Sequence, residues 1–376
     1  MMLGFISQSV NGFRSLFSHD LDFLIFFVTS ICNAKCGHCF YWQNLNAPDE
    51  GFALGDIEKL ARSMPRFRTL LISGGEPFLR EDLPAVIGLF RRINDIEHVG
   101  VPSNGILAGR TTRLARQILQ ENPGLDFTVN LSIDGFAETH DKIRGVPRNF
   151  ELTLNTMQHL LELRDEFPHF GVWVNTVICA DNYDEVIPFA RWMRDRFPIG
   201  GHFFEVVRGE PMEPHLKSVP PEKLRDIYEA VLPIQEAYLR KRLERQGASN
   251  GRRLWREVNG LGALAFQYHT QYTNYAHGRR WDMDCLAGEA IAVIDYNANV
   301  RVCELREAQI ALADYDHDFS KLIQDPVMQS EREAAKSHGC DCTHVCFINT
   351  TLQHDWQAKL IHAPFRYAKY RLTGTF

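Results

Sequence analysis

The sequence predicts an α/β protein whose core is a partial (β/α)6 barrel of the TIM type. Strand-like and helix-like segments alternate six times in the first two-thirds of the chain. Each crossover is long enough to hold a helix, which is typical of parallel strands covered by helices. A full barrel needs eight such units, and the alternation ends near Gly209, where Gly-Glu-Pro-Met-Glu-Pro predicts turns.

Six short apolar segments are predicted strands, and helical patterns separate them. The strands are expected at 23–29, 69–72, 98–101, 127–133, 172–178 and 202–207. The helices are expected at 54–63, 83–93, 110–120, 150–164 and 183–196. Beyond the barrel, 221–245 has the pattern of one long charged helix, whereas 246–284 shows no clear period. A hairpin is predicted over 291–303, because two apolar segments flank an Asn-rich turn.

These patterns divide the chain into five expected parts. They are an N-terminal segment (1–20), the barrel (21–210), a helical bridge (211–284), a cysteine-rich part (285–350) and a tail (351–376). The first 17 residues carry an apolar stripe of helical spacing. We expect this stripe to pack on the body of the protein, with a foot on a membrane surface as the alternative.

Composition excludes several classes of function. The chain has 376 residues, of which 45% are hydrophobic and 23% charged, as in ordinary globular proteins. Its 41 basic and 47 acidic residues give a net charge of −6, so no nucleic-acid partner is expected. The apolar run at 23–28 is far too short to cross a bilayer, and no signal peptide is recognisable. The sequence therefore predicts a cytoplasmic protein without a transmembrane segment.

The nine cysteines are the main chemical signal of the sequence, and most of them fall in two groups. The first group is Cys32, Cys36 and Cys39, and the second is Cys285, Cys303, Cys340, Cys342 and Cys346. Cys179 stands alone in an apolar stretch and is expected in the core. Because no secretion signal is present, clustered thiols indicate metal ligands or catalytic groups rather than disulfides.

The first cysteine group lies directly after the first predicted strand. Its sequence over 32–39 is Cys-Asn-Ala-Lys-Cys-Gly-His-Cys. Barrels place their chemistry at the carboxyl ends of strands. Three thiolates on one loop can hold three corners of an iron–sulfur cube and leave the fourth iron open. Zinc and unliganded cysteines are the alternatives, although His38 is poorly placed to complete a zinc site.

Short motifs follow the next predicted strands in a fixed order. They are Ser-Gly-Gly-Glu-Pro at 73–77, Pro-Ser-Asn-Gly at 102–105 and Ser-Ile-Asp-Gly at 132–135. With the Cys-x3-Cys-x2-Cys loop, they resemble the motifs of the radical S-adenosylmethionine (radical SAM) superfamily over most of the chain. The composite that continues to His140, Asp141 and Arg144 resembles the branch that carries auxiliary clusters and often modifies peptides. The resemblance implies a [4Fe–4S] cluster on Cys32, Cys36 and Cys39.

The resemblance also implies that S-adenosylmethionine binds beside this cluster. The edge formed by the 73–77 motif would accept hydrogen bonds from its amino group, and the 132–135 motif would contact its ribose or carboxylate. Arg144 would pair with the carboxylate as a bidentate fork. His38 stands where the family usually has an aromatic residue near the adenine. The implied cofactor contacts are His38, Gly74, Gly75, Glu76, Pro77, Asn104, Ser132, Asp134, Arg144 and Asn175, with Asn182 on the adenine and ribose side.

The second cysteine group resembles the C-terminal SPASM and twitch extensions of the same superfamily. A full SPASM domain needs more than five cysteines, so one auxiliary [4Fe–4S] cluster is expected, as in the twitch case. Cys285 and Cys303 are its first expected ligands, and Cys342 and Cys346 the next. Cys340 is expected as a ligand, a spare or a substrate-facing group. His338 and His344 are expected to donate hydrogen bonds nearby, and a structural zinc site is the alternative.

The implied activity is that of an oxidoreductase. One electron, from a reducing partner such as flavodoxin or ferredoxin, would cleave S-adenosylmethionine to a 5′-deoxyadenosyl radical, which abstracts a substrate hydrogen atom. The expected outcome is oxidative modification of a peptide or protein. The alternatives are dehydrogenation or epimerisation of a small molecule such as a sugar or alcohol, and a non-catalytic iron–sulfur or zinc scaffold. Epimerisation needs a hydrogen donor, for which Cys179 and Cys340 are candidates. Glu205, Arg208 and Glu210 are expected substrate contacts or a solvated rim.

Overall fold

The computed structural model describes residues 20–48, 52–245, 250–337 and 342–376. The apolar stripe predicted in the first 17 residues lies outside the described residues. The same holds for His338 and Cys340, so their predicted roles remain predictions.

Six parallel strands form the larger part of one sheet, in the order β6-β5-β4-β3-β2-β1. The strands are β1 (Phe23–Phe27), β2 (Thr69–Ser73), β3 (His98–Ser103), β4 (Asp126–Ser132), β5 (Phe170–Ile178) and β6 (Gly201–Val206). The intervening helices are α1 (Leu54–Ser63), α2 (Leu83–Asn94), α3 (Ala108–Glu121), α4 (Ala137–Arg144), α5 (Asn149–Glu166) and α6 (Val186–Arg196). All five residues of β1 are buried, as expected for a parallel strand covered on both faces. The predicted parallel α/β core is confirmed.

The predicted boundaries hold within about three residues for most elements of this core. The helix expected at 54–63 begins and ends where it was placed. Strand β3 continues to Ser103, so the 102–105 motif begins inside the strand rather than after it. Helix α4 was not predicted; it places His140 and Arg144 on one helix that faces the core.

The predicted hairpin is present, but it does not stand apart from the barrel. Its strands are β7 (Ile291–Ile294) and β8 (Asn299–Arg301), followed by the short β9 (Ile310–Ala311). Strand β7 pairs in parallel with β1, in the register Phe23 to Ile291. The sheet therefore has nine strands, and the second cysteine group enters the structure beside the strand that carries the first.

Two long helices follow the barrel along the chain, and the second corrects the sequence analysis. Helix α7 (Pro221–Arg245) matches its prediction, but 246–284 is not irregular, because α8 spans Asn250–His277. Its Gly262 is a site of close approach, since a Cβ there would collide with the carbonyl oxygen of Ala363. The remaining helices are α9 (Phe319–Leu322), α10 (Pro326–Ser337), α11 (Val345–His354) and α12 (Ala363–Thr373). Among the described residues, no helix has both the length and the apolar character needed to span a membrane.

Candidate active site

The first cysteine loop follows β1 and is fastened to the carboxyl end of α4. The backbone N–H of Lys35 donates to the carbonyl of Arg144 at 3.2 Å, and that of Gly37 donates to Ile143 at 2.8 Å. Inside the loop, the N–H of Cys39 donates to the carbonyl of Cys36 at 3.1 Å. The three thiol-bearing residues are partly exposed. Backbone bonds therefore hold the loop that carries the three thiols.

The turn after β2 packs directly against this loop. The N–H of Gly75 donates to the Thr29 carbonyl at 2.9 Å, and that of Glu76 donates to the Ile31 carbonyl at 2.8 Å. A Cβ on Gly75 would collide with the Ile31 carbonyl oxygen, so only glycine allows this approach. The 73–77 motif and the cysteine loop are thus joined backbone to backbone.

The carboxylate of Glu76 braces the same turn from inside. Its Oε2 accepts the backbone N–H of Asn104 at 2.7 Å, and its Oε1 accepts that of Phe78 at 3.2 Å. Burial raises the pKa of Glu76 to about 7, and these two hydrogen bonds oppose the rise. Asn104 in turn donates through Nδ2 to Oδ1 of Asn33 at 2.7 Å. Sequence analysis missed Asn33, although its place between Cys32 and Cys36 was the available signal.

Asp134 is the centre of a buried ionic cluster beneath the loop. Its side chain is 0% exposed, and its Oδ2 lies 2.6 Å from Nε of Arg144 and 3.1 Å from Nε2 of His38. Its Oδ1 accepts the backbone N–H of Val177 at 2.9 Å. Burial alone would raise the pKa of Asp134, but Arg144 and His38 hold it well below its usual range. Asp134 therefore remains a carboxylate that ties α4, the loop and β5 together.

The cation of this cluster also reaches the cysteine loop. Nη1 of Arg144 lies 3.7 Å from Sγ of Cys36, in a donor contact that favours the thiolate. The structure thus brings His38 and Arg144 to Asp134, and their predicted contacts with adenine and carboxylate remain predictions. The ring of His140 accepts the N–H of Asp134 at 3.0 Å, and burial lowers the pKa of His140 to about 4.

The other predicted contacts lie along β4 and β5. Ser132 pairs in register with Asn175, and Nδ2 of Asn175 donates to Oε1 of Glu205 at 3.3 Å. Asn182 is buried, and its amide spans the loop after β5, bonding to the carbonyls of Asp134 and Val177. We therefore assign Asn182 to loop closure, because both ends of its amide are engaged within the protein.

A cavity of about 190 Å³ lies between the inner face of the sheet and helices α8 and α11. Arg208, at the end of β6, pairs there with Glu205 and with Glu304, and its guanidinium carbon lies 4.8 Å from the centre of the Phe40 ring. Glu304 also bonds to His344. This chain of ionic contacts links the residue after Cys39 to the residue after Cys303. Sequence analysis named Glu205 and Arg208 but missed Glu304, which no local motif marks.

The second cysteine group is divided between two cavities. Cys285, Cys303 and Cys342 line a small cavity of about 30 Å³ together with Arg280 and Arg306. Cys346 instead lines the 190 Å³ cavity at the barrel. Across the described ranges, no three His, Cys, Asp or Glu side chains already stand at the spacing of a single bound metal ion.

The first loop nevertheless has the donor set that a cluster with an open corner requires. Its three thiols can each bind a different iron, so they need not converge on one ion. Burial raises the pKa of the Cys32 thiol to about 12 and that of Cys39 to about 11, and each is raised further by the neighbouring Cys36. Binding of a metal centre must therefore displace protons from these thiols.

Parallel strands, a three-cysteine loop after β1 and a Gly-Gly-Glu-Pro turn packed on that loop are the features in which the sequence resembles the radical SAM superfamily. Residues 26–193 match the family model of the radical SAM superfamily. The matched region is somewhat less than half of the chain and contains the whole first site. The match therefore shows that the region holding the first site is similar to the radical SAM superfamily.

Several curated proteins resemble the chain over part of its length. A GTP 3′,8-cyclase of Vibrio parahaemolyticus is 27% identical over 208 residues, which are 54% of this chain and 59% of the relative. An Fe-coproporphyrin III synthase of Methanosarcina barkeri is 32% identical over 163 residues, which are 40% of this chain and 38% of the relative. The chain thus spans about two-fifths to three-fifths of the length of these relatives.

Solved structures share the fold over nearly the whole chain. Streptococcus suis SuiB bound to S-adenosylmethionine superposes with a TM-score of 0.57 at 14% identity, over 93% of this chain and 76% of SuiB. Native anSMEcpe with bound AdoMet gives a TM-score of 0.58 at 15% identity, over 93% of this chain and 95% of that protein. At these identities, the likeness shows the fold alone.

Proposed function

We propose that this protein is a radical SAM enzyme that removes a hydrogen atom from one C–H bond of its substrate. The carrying observation is the backbone junction between the cysteine loop and the 73–77 turn, made by Gly75 and Glu76. A [4Fe–4S] cluster on Cys32, Cys36 and Cys39 would supply the electron that cleaves S-adenosylmethionine into methionine and a 5′-deoxyadenosyl radical. The residues around the site would supply the binding and orientation of the reactants.

The chain's own residues would bind and orient the reactants. Gly74 and Gly75 bring a backbone edge beside the thiols, and Glu76 fixes that edge through its bonds to Asn104 and Phe78. Arg144 would favour the thiolate of Cys36, because its guanidinium lies beside the sulfur. The buried carboxylate of Asp134 would hold that guanidinium in place.

Oxidative modification of a peptide residue is the first candidate reaction. Structures with the same fold include SuiB bound to its precursor peptide and anSMEcpe with a bound peptide, which supports a peptide substrate. The cavity of about 190 Å³ has room for one side chain. A peptide would therefore present a single residue to the barrel interior.

A small-molecule substrate is the second candidate, and the size of the same cavity favours it. Its volume of about 190 Å³ also suits a free small molecule. The curated relatives carry the names of small-molecule enzymes, GTP 3′,8-cyclase and pre-heme d1 synthase among them. In this case the reaction would be dehydrogenation or epimerisation of a sugar or an alcohol.

We also propose a twitch-like auxiliary domain over 285–350, with one [4Fe–4S] cluster. Cys285, Cys303 and Cys342 line one cavity, which supports their role as ligands. Arg280 and Arg306 line the same cavity, and their positive charge would stabilise thiolates there.

Anaerobic reconstitution tests the proposed function. Iron per chain is counted, and the protein is incubated with dithionite and S-adenosylmethionine while 5′-deoxyadenosine is measured. We expect about eight irons, four for each cluster, and formation of 5′-deoxyadenosine that Cys36→Ala abolishes. About four irons per chain together with formation of 5′-deoxyadenosine would contradict the proposed auxiliary cluster. An intact cluster without any 5′-deoxyadenosine would favour the non-catalytic scaffold.

A further inference from the structure

Cys346 lies in the wall of the barrel cavity. It is the second residue of α11 and lines the 190 Å³ cavity together with Glu304, Arg208 and Glu205. An ordinary thiol is mostly protonated at neutral pH, so Cys346 brings an S–H bond to the wall of this cavity.

The position of Cys346 separates it from the other cysteines of the second group. Cys342 lies just before α11 and faces Cys303 and Cys285 in the smaller cavity. Cys342 and Cys346 are four residues apart along the chain, and they line different cavities.

A second observation shows that the barrel cavity is built for a polar ligand. Asn130 on β4 lines the cavity and is only 4% exposed, yet its Oδ1 accepts no hydrogen bond from the described residues. A buried amide oxygen without a donor costs about 1–3 kcal/mol, so such groups usually have a partner. The unmet acceptor and the Cys346 thiol lie in the wall of one cavity.

We propose that Cys346 is a substrate-facing thiol that returns a hydrogen atom to the substrate radical, and that it does not ligate an auxiliary cluster. The role rests on the proposed function. The S–H bond breaks homolytically while a C–H bond forms on the substrate carbon. The remaining sulfur radical then takes one electron from a low-potential one-electron donor of the class that reduces the first cluster, and one proton from solvent, which restores the thiol.

The chemistry of the cavity wall explains the choice of Cys346. An S–H bond is weaker than the C–H, N–H and carboxyl O–H bonds of the other lining groups, so a carbon radical takes hydrogen from it most readily. The phenol of Tyr268 is the other weak bond in the wall, but its hydroxyl bonds to the Gln235 side chain and its ring stacks on Tyr228. The sequence-based candidate Cys179 is fully buried and is not among the residues that line this cavity.

Iron counting tests the ligand half of the proposal without any need for turnover. Cys346→Ala and Cys342→Ala are reconstituted beside the wild-type protein. We expect Cys346→Ala to keep the wild-type iron content and Cys342→Ala to lose about four irons per chain. Loss of about four irons in Cys346→Ala would overturn the assignment.

Deuterium transfer tests the hydrogen-donor half with S-adenosylmethionine as the only added reactant. The protein is reduced by dithionite in D2O, where thiol protons exchange, and 5′-deoxyadenosine is analysed by mass spectrometry. We expect deuterium in the product from wild type and from the core-thiol control Cys179→Ala, and loss of most of the label in Cys346→Ala. Equal labelling in Cys346→Ala would refute the donor role. If the wild type forms no 5′-deoxyadenosine, the proposed function fails, and the iron count still judges the ligand assignment.

Discussion

The two cysteine regions are assembled in opposite ways. Cys32, Cys36 and Cys39 share one loop, and backbone hydrogen bonds fix it against the 73–77 turn and α4. The second group is spread from Cys285 to Cys346, on loops around β7 and β8 and on α11, so only long-range packing brings its members together. A contiguous motif thus determines where its cysteines lie, whereas the positions of dispersed cysteines depend on the strands, helices and loops that carry them.

The two regions also differ in their ionic surroundings. Below the first loop, Arg144 and Asp134 form a pair in which Asp134 is 0% exposed and Arg144 is 8% exposed. Between the regions, Arg208 bridges Glu205 and Glu304 and is 16% exposed. We therefore expect damage to the first pair to cost more stability than damage to the second.

The largest predicted difference is between a variant of the first cysteine region and a variant of the second, compared by iron content and product formation. Cys36→Ala should abolish 5′-deoxyadenosine formation and remove about four irons, because it destroys the first cluster site. Cys303→Ala should remove a similar amount of iron and still cleave S-adenosylmethionine. Both variants are measured by iron content and by product formation with dithionite. Complete loss of cleavage in Cys303→Ala would show that the regions do not act independently.

Arg144→Gln should be the most destabilising change to an ionic pair. It leaves the Asp134 carboxylate fully buried without its main cation, at a cost of about 3–5 kcal/mol in the free energy of unfolding. Urea denaturation followed by circular dichroism measures the loss. The matched control is Arg113→Gln, since the Arg113–Glu81 pair is exposed and solvent screening should leave its contribution far smaller. Similar losses in the two variants would contradict the burial argument.

Arg208→Gln should destabilise the contact between the barrel and the second region. Glu205 and Glu304 would keep like charges in the cavity without the shared cation, which costs about 2–4 kcal/mol, somewhat less than a fully buried pair. Hydrogen exchange should rise in 299–304 and 342–354 and stay unchanged in 32–39. Equal exchange in all three segments would show that Arg208 does not join the two regions.

Gly75→Ala should have the smallest effect on stability but should act on the first site alone. Its methyl group meets the Ile31 carbonyl, and relief of this overlap costs about 1–3 kcal/mol. Gly109→Ala is the control, because the space around Gly109 is open and α3 gains a better helix former. Thermal unfolding and 5′-deoxyadenosine formation are compared in both variants. Wild-type stability and wild-type 5′-deoxyadenosine formation in Gly75→Ala would show that the close approach of Gly75 to Ile31 is not required.

Much of the first region could be predicted from sequence because its signals are local. Apolar strands followed by glycine and cysteine motifs marked the strand ends, and the helix at 54–63 was placed to the residue. The pairing of His38 and Arg144 with Asp134 could not be predicted, because it depends on α4, which packs back over the loop. The motifs thus identified His38, Asp134 and Arg144 as site residues, and tertiary packing determined that they contact one another.

The part of the chain after the barrel was harder to predict, because its helices are stabilised by packing rather than by local preference. Glycines and aromatic residues in 246–284 hid the period of α8, yet Gly262 permits the close contact with α12, and Leu261, Ala265 and Tyr268 are buried. The resemblance to twitch domains also implies that Cys342 and Cys346 bind one cluster, and this assignment stays a prediction. The rotation from the loop into α11 puts them in two cavities.

The open iron of the first cluster is the central claim of this account. Electron paramagnetic resonance of the reduced, reconstituted protein tests it directly, because a ligand that binds an iron alters the spectrum of the cluster. We expect S-adenosylmethionine to change the spectrum of wild type and of Cys303→Ala, and Cys36→Ala to show no such change. A reduced first cluster whose spectrum is the same with and without S-adenosylmethionine would contradict the account.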